Sequence, residues 1–264
     1  MSDDPDLARR FGGLQRLYGT GAYERLRSAC IAVVGLGGVG SWTAEALARS
    51  GVASLMLIDL DHVSESNVNR QVQATTGSIG QHKGEALRER IAQIHPGCTV
   101  HLVDDFVTPD NWPALLPLPV DALVDACDQV RAKQALAAWG LRLGLPLVSV
   151  GAAGGKRLPQ RVEVEDLAEA THDPLLASLR QRLRKDAGAP RSGRIGLRCV
   201  FSREPVAPPD ASCGLPEGGD GTLNCHGYGS SVTVTATFGM VAAAEVIAQV
   251  WSASALHSSQ KSGI

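Results

Sequence analysis

Apolar residues in this chain come in short unbroken runs, separated by segments in which they recur at helical spacing. "IAVV" at 31–34, "SLMLIDLD" at 54–61, "TVHLVDD" at 99–105, "VDALVDAC" at 120–127 and "LPLVSVGAAGG" at 145–155 are the runs. A continuous apolar run bounded by turn residues predicts a strand buried on both faces. Between them, "SWTAEALARSG" (41–51), "QHKGEALRERIAQIHPG" (81–97) and "QVRAKQALAAWGLRLG" (129–144) predict helices, the first stopped by Gly51 and the second by Pro96 and Gly97. Strands alternating with helices imply an α/β fold, Rossmann-like and doubly wound, with a mainly parallel sheet and right-handed crossovers.

The last third is less regular and reads as a mixed extension of the same domain. "QRVEVEDL" (160–167) alternates like an edge strand, and "IGLRCVFS" (195–202) reads as another strand. "DPLLASLRQRLRKDAG" (173–188) opens with Asp173 and Pro174, a good helix start. Residues 203–231 are rich in proline and glycine and read as a loop. Residues 232–251, "VTVTATFGMVAAAEVIAQVW", are nearly all apolar and long enough to span a bilayer. Glu245 and Gln249 interrupt the run, so a buried core or interface helix is the favoured reading over a membrane span. The expected organisation is a helical arm over 1–30, a nucleotide-binding unit over 31–155, and an extension over 156–264 with a substrate loop and a terminal helix.

Composition changes this picture little. Of 264 residues, 44% are apolar, enough for an ordinary core. A net charge of −2 points to no polyanion partner in bulk. The six cysteines are scattered without a C-x-x-C pair, which argues against a structural zinc and against a disulfide framework. No charged stretch precedes an apolar one at the amino terminus, so a reducing, cytoplasmic setting is expected.

The chemistry begins at "GLGGVG". Gly35, Gly37, Gly38 and Gly40 follow a strand and precede a helix, a spacing that lets backbone approach a pyrophosphate at a helix N-terminus. Asp59, at the end of the next strand, is placed to accept bonds from ribose hydroxyls. An NAD-dependent oxidoreductase fits these features equally well. The polar block "VSESNVNRQ" at 63–71 argues against it, because a pyrophosphate is already covered by the glycine loop. Arg70 offers a fixed charged fork for phosphate, Lys83 a point charge at a helix start, and Asn67 and Gln71 neutral donors. Asp128, after the fourth strand, is placed to hold Mg²⁺ against phosphates. Each has a bland alternative: Asn67 as a cap, Arg70 as a surface ion pair, Lys83 as a solvated helix residue, Asp128 as the cap of the next helix.

"GLGGVG…IDLDHVSESNVNRQ…GQHKGEALRERIAQIHP…DACD" resembles the ThiF/MoeB/HesA superfamily of ATP-dependent adenylating enzymes over roughly residues 10–155. The resemblance implies ribose binding by Asp59, phosphate binding by Asn67, Arg70 and Lys83 with support from Gln71, and metal binding by Asp128. Gln129 departs from the asparagine that many relatives carry there. Many relatives also hold zinc with two C-x-x-C pairs, whose absence argues against the branch that activates ubiquitin-like sulfur carriers. "RRFGGLQRLYG", "VDDFVTPDN", "GAAGG", "DPLLASLRQRLRK", "LRCVFS" and "VTVTATFGM" are similar to the branch that dehydrates threonylcarbamoyladenosine in tRNA, over nearly the whole chain. That likeness implies adenylation of the nucleoside's threonyl carboxylate with release of pyrophosphate. Attack by a nitrogen of the same nucleoside then expels AMP.

The resemblance further implies a homodimer in which an amino-terminal arginine, Arg16 or Arg10, reaches the partner's ATP. It makes Cys225, in "LNCHGYG", a candidate sulfur acceptor from a cysteine desulfurase system, against the alternative of a free thiol without a role. Arg180, Arg182, Arg184, Lys185, Arg191, Arg194 and Arg198 cluster with Asp186 as their one opposing charge and form a candidate tRNA contact. The bland reading of that cluster is a solvated helix face. Activation of a sulfur carrier, hydride transfer with NAD(P), and a non-catalytic scaffold are the competing functions.

Overall fold

The computed structural model describes residues 6–210, 212 and 228–259. Two short helices, α1 (Leu7–Tyr18) and α2 (Thr20–Leu26), precede the first strand. The chain then runs β1 (Cys30–Val34), α3 (Gly40–Arg49), β2 (Ser54–Ile58), α4 (Lys83–Ile94), β3 (Thr99–Val103), β4 (Ala122–Asp125), α5 (Val130–Leu143) and β5 (Leu147–Val150). It closes with β6 (Val162–Asp166), α6 (Pro174–Asp186), β7 (Arg198–Ser202) and α7 (Val232–Ser259). The seven strands form one sheet in the order β3-β2-β1-β4-β5-β7-β6. All neighbours are parallel except β6, which runs antiparallel to β7 at the edge.

Alternate side chains of each inner strand feed two separate cores, which is why the strands read as continuous apolar runs. Ile31 and Val33 face a core shared with α3 and α7, whereas Ala32 and Val34 face one shared with α5 and α6. Each fully buried Leu, Ile or Phe contributes about 1.5–3 kcal/mol. The strands are shorter than their apolar runs: β2 stops at Ile58 and β5 at Val150. The residues beyond, 59–61 and 151–155, turn at the carboxyl edge of the sheet, where parallel α/β folds bind ligands.

α7 is long and apolar enough over Val232–Ser252 to cross a membrane by length and composition. Val234, Phe238, Ala242, Val246 and Val250 nevertheless stand in the same core as β1, β4 and β5, in keeping with the buried-helix reading. Gly239 lets α7 meet α3 closely: a Cβ there would lie 2.7 Å from both Trp42 Cβ and Val39 O.

Candidate nucleotide-binding and catalytic site

A cavity of about 710 Å³ opens at the carboxyl edge of β1, β2, β4 and β5. The glycine turn forms its floor. Gly35 has φ of +85°, and a Cβ on it would sit 3.0 Å from the Ala126 carbonyl. A Cβ on Gly40 would lie 1.8 Å from Gly35 O, so no other residue fits where the turn folds onto the start of α3. Gly35, Gly37 and Gly38 line the cavity, and Gly40 closes the turn behind them.

Asp59 stands beside this turn. Its Oδ2 accepts from the Leu36 amide at 2.6 Å and its Oδ1 from the Asp61 amide at 2.8 Å. Burial pushes its carboxyl above the usual aspartate value, opposed by Lys83 and by the two amides. Lys83 is buried at the start of α4, where Nζ donates to Asp61 Oδ2 at 2.7 Å and lies 3.9 Å from Asp59 Oδ1. That excludes the solvated-helix reading of Lys83. His82, the N-cap of α4, accepts from the Gly84 amide at Nδ1, so its proton sits on Nε2, 3.0 Å from the Asp59 carbonyl oxygen and from Asp104 Oδ1.

The polar block folds into consecutive tight turns. Ser64 caps a short 3₁₀ turn (Glu65–Asn67), and Asn67 Oδ1 accepts from the Ser64 amide at 3.1 Å. Asn67 is therefore a capping residue, and it also lines the cavity. Arg70 donates through one nitrogen to Ser66 O and to Asn69 Oδ1, and its backbone carbonyl accepts from Trp42 Nε1 at 3.0 Å and Thr235 Oγ1 at 3.2 Å. Gln71 is buried and accepts from Gln73 Nε2 at 3.2 Å. With its oxygen so engaged, its amide nitrogen keeps donor capacity for a ligand. Asp128 lines the cavity too. The N-cap of α5 is the next residue, Gln129, whose side chain makes no capping bond.

Beneath Asp128 lies a group that the sequence motifs do not reveal. Lys133 is fully buried in α5, and its Nζ donates to Asp125 Oδ2 at 3.0 Å, Asp125 O at 3.3 Å and Ser149 Oγ at 3.4 Å. Ser149 Oγ donates to Asp125 Oδ2 at 2.8 Å, and Cys127 donates to Asp125 Oδ1 through N at 3.3 Å and Sγ at 3.0 Å. Burial, followed by the Asp125 charge, holds the Cys127 thiol far above its ordinary pKa, which keeps it protonated although it lines the cavity. One signal was available: Lys133 falls on the apolar stripe of α5 with Ala132, Leu136 and Ala137.

Other expected residues lie elsewhere. Arg10 donates to Ile94 O at 2.7 Å, whereas Arg16 is exposed in the last turn of α1, and neither lines the cavity of its own chain. Three of the seven basic residues are engaged with the protein itself. Arg180 caps the Leu167 and Ala170 carbonyls at 3.0 and 2.7 Å, Arg184 holds Pro190 O at 3.1 Å, and Arg198 pairs with Glu245 at 2.9 Å. These guanidiniums serve the fold, which leaves Arg182, Lys185, Arg191 and Arg194 as the outward charges. Cys225 lies outside the described residues. Cys30 and Cys199 are buried. Among the described residues no group of three or more His, Cys, Asp or Glu could hold a metal ion.

The ThiF family profile matches residues 9–261. The chain belongs to the ThiF family. Within that family it is 44% identical over 247 residues to the tRNA threonylcarbamoyladenosine dehydratase of Escherichia coli (strain K12), covering 90% of this chain and 92% of that protein. The Haemophilus influenzae protein of the same name is 41% identical, covering 94% and 95%. The solved structure of the E. coli dehydratase in complex with ATP superposes with a TM-score of 0.84 at 42% identity, covering 97% of this chain and 99% of that one. The molybdopterin-synthase adenylyltransferase of Salmonella typhimurium is 36% identical over 130 residues, 49% of this chain. The resemblance drawn from the motifs, and the fold it implied, are borne out.

Proposed function

We propose that this ThiF-family chain is an ATP-dependent dehydratase that adenylates the threonyl carboxylate of threonylcarbamoyladenosine in tRNA and lets the nucleoside close on itself. One observation carries the reading. A single cavity joins a glycine fingerprint, a ribose-type carboxylate and the Asn67, Arg70 and Lys83 set, in a chain 44% identical to a dehydratase of that name across 90% of its length. The sulfur-carrier alternative rests on weaker likeness, 36% identity over 49% of the chain to one adenylyltransferase and 28% identity over 87% of it to another.

The glycine turn and the N-terminus of α3 receive phosphate, and Asp59 receives ribose hydroxyls. Arg70 and Lys83 neutralise the polyphosphate so that a second anion can approach it, and Asn67 and Gln71 add neutral donors. A substrate carboxylate oxygen attacks the α-phosphorus, the bond to the β-phosphate oxygen breaks, and pyrophosphate leaves. A nitrogen of the same nucleoside then attacks the activated carbonyl and loses its proton. The carbonyl–oxygen bond breaks, and AMP departs with the oxygen that the nucleoside gives up. This closure needs no protein nucleophile, because the attacking group is already tethered.

Mg²⁺ suits the donor set. Asp128 is one hard carboxylate at the cavity wall, and an ion that completes its shell with phosphate oxygens and water needs no protein cage. When bound there, Mg²⁺ would screen phosphate charge and stabilise the departing pyrophosphate. Arg16 of a second copy is the candidate to reach the phosphates across a homodimer, since Arg10 is engaged with Ile94. Arg182, Lys185, Arg191 and Arg194 are the candidate tRNA backbone contacts.

Pyrophosphate release tests the reading directly. It is expected with ATP and threonylcarbamoylated tRNA, and not with a ubiquitin-like carrier ending in Gly-Gly. Release with the carrier alone would overturn it.

A further inference from the structure

The cavity has two chemically different walls. Asp59, Asp61, Asn67, Arg70, Gln71 and Lys83 form one. Val150, Ala152, Ala153, Leu175 and Tyr228 line the other, with no charged side chain among these five. Polyphosphate gains nothing from the second wall, which offers it neither charge nor side-chain amide. A flat neutral ring does gain from it.

Hydrogen bonds tie the apolar wall to its surroundings. Asp173 accepts from the Ala152 amide at 2.8 Å and caps α6 through the Leu176 amide at 2.9 Å. Gly155 donates to Gly229 O at 3.0 Å and accepts from the Ala207 amide at 2.8 Å. The buried Lys156 ammonium donates to the His172 carbonyl at 3.0 Å and the Ser202 carbonyl at 3.3 Å. The backbone after Tyr228 is tied to the polar wall as well: Asn69 Nδ2 donates to Ser230 O at 3.0 Å, and Asn69 Oδ1 accepts from Arg70 at 3.0 Å. Tyr228 therefore precedes two residues bonded to the two walls, Gly229 and Ser230, and is itself 36% exposed at the cavity.

Two substrates must meet here if the proposed reaction is right. A nucleoside whose carboxylate attacks ATP has to leave the RNA stack, and its base then needs an apolar surface beside the phosphates. Unstacked bases are held in proteins by aromatic side chains. Resting on the dehydratase reading, we infer that Tyr228 is the stacking platform for the modified purine, with Ala153 and Leu175 as its apolar floor.

The experiment measures three variants, Tyr228→Ala, Tyr228→Leu and Tyr228→Phe, by two binding readouts. Anisotropy reports affinity for a labelled threonylcarbamoylated anticodon stem-loop in the presence of a non-hydrolysable ATP analogue. Calorimetry reports affinity for ATP alone. Tyr228→Ala and Tyr228→Leu are expected to weaken RNA binding about tenfold or more, with Tyr228→Phe near the parent. ATP affinity is expected to stay within about twofold in all three. Unchanged RNA affinity in Tyr228→Ala would overturn the assignment. Parental affinity in Tyr228→Leu would also overturn it, as bulk without stacking. A fall in ATP affinity would assign the ring to the nucleotide instead. Neither readout requires turnover, so a parent enzyme that binds the stem-loop through Tyr228 yet never dehydrates it would overturn the reaction and leave the stack standing.

Discussion

Two lysine–aspartate clusters flank the cavity, and they differ in what their charges face. Lys83 meets Asp61 and Asp59 at the end of β2, with its side chain 7% exposed at the cavity wall. Lys133 meets Asp125 and Ser149 under β4, with the pair at 0% and 1% exposure. All three donors of Lys133 are consumed by protein acceptors, two on Asp125 and one on Ser149. Lys83 has one short bond, to a carboxylate that is itself 54% exposed, and so can exchange that partner for a phosphate at modest cost. A saturated cluster fixes the frame, while a cluster with a loose partner is available to a ligand.

Substitution should separate the two clusters. The largest effect is expected from Lys133→Met, which leaves Asp125 charged and buried. Breaking such a pair costs about 3–5 kcal/mol, read as a lower denaturation midpoint in urea. Lys133→Met with Asp125→Leu removes both charges and should recover most of that loss. A double variant as unstable as the single one would show that the pair contributes more than its mutual neutralisation. Lys83→Ala should act the other way round. ATP–pyrophosphate exchange is expected to drop about 10²–10³-fold, as for loss of one charge-stabilising donor, while the urea midpoint moves far less than in Lys133→Met. Equal losses of stability in both single variants would erase the distinction.

The outward basic residues give a smaller, graded effect. Neutralising Arg182, Lys185, Arg191 and Arg194 together should weaken tRNA binding and flatten its salt dependence, by up to about 0.7–0.9 in logarithmic slope for each phosphate no longer neutralised. An unchanged slope would remove these residues from the RNA interface. The smallest effect concerns pH. Burial raises the Asp59 carboxyl in the fold, so the native protein still holds a proton that the unfolded chain has lost. Stability of the nucleotide-free protein should therefore fall as pH rises from the ordinary aspartate value to the raised one. Lys83 opposes that shift, so Lys83→Ala should steepen the fall and Asp59→Asn should abolish it. A flat profile in the parent would contradict the burial argument.

The polar wall was legible in the sequence because local rules govern it. A buried strand must end, a turn onto a helix needs glycine where Gly40 meets Gly35, and the carboxylate closing the next strand has to face the same edge. Lys83 was legible as a charge at a helix start. Its burial was not, since that depends on Asp61 folding back over it. The Asp125–Lys133–Ser149 group joins residues 8 and 24 positions apart on three elements, and spacing within one element does not report such a meeting. The partners of the basic cluster were hidden for a related reason. Counting charges along α6 and beyond cannot distinguish Arg182 from Arg180, whose guanidinium is spent on the carbonyls of Leu167 and Ala170. The apolar wall stands in the sequence as "GAAGG" with no visible role, because it is completed only when Leu175 and Tyr228 arrive from distant parts of the chain.

The central claim is that ATP bound against Asn67, Arg70 and Lys83 activates a nucleoside carboxylate rather than a carrier protein. The most direct measurement is the mass of the modified adenosine, released by digestion from tRNA incubated with the protein. Loss of one water that requires ATP, and that disappears with Arg70→Ala, is the expected result. An unchanged nucleoside mass despite ATP consumption would contradict it.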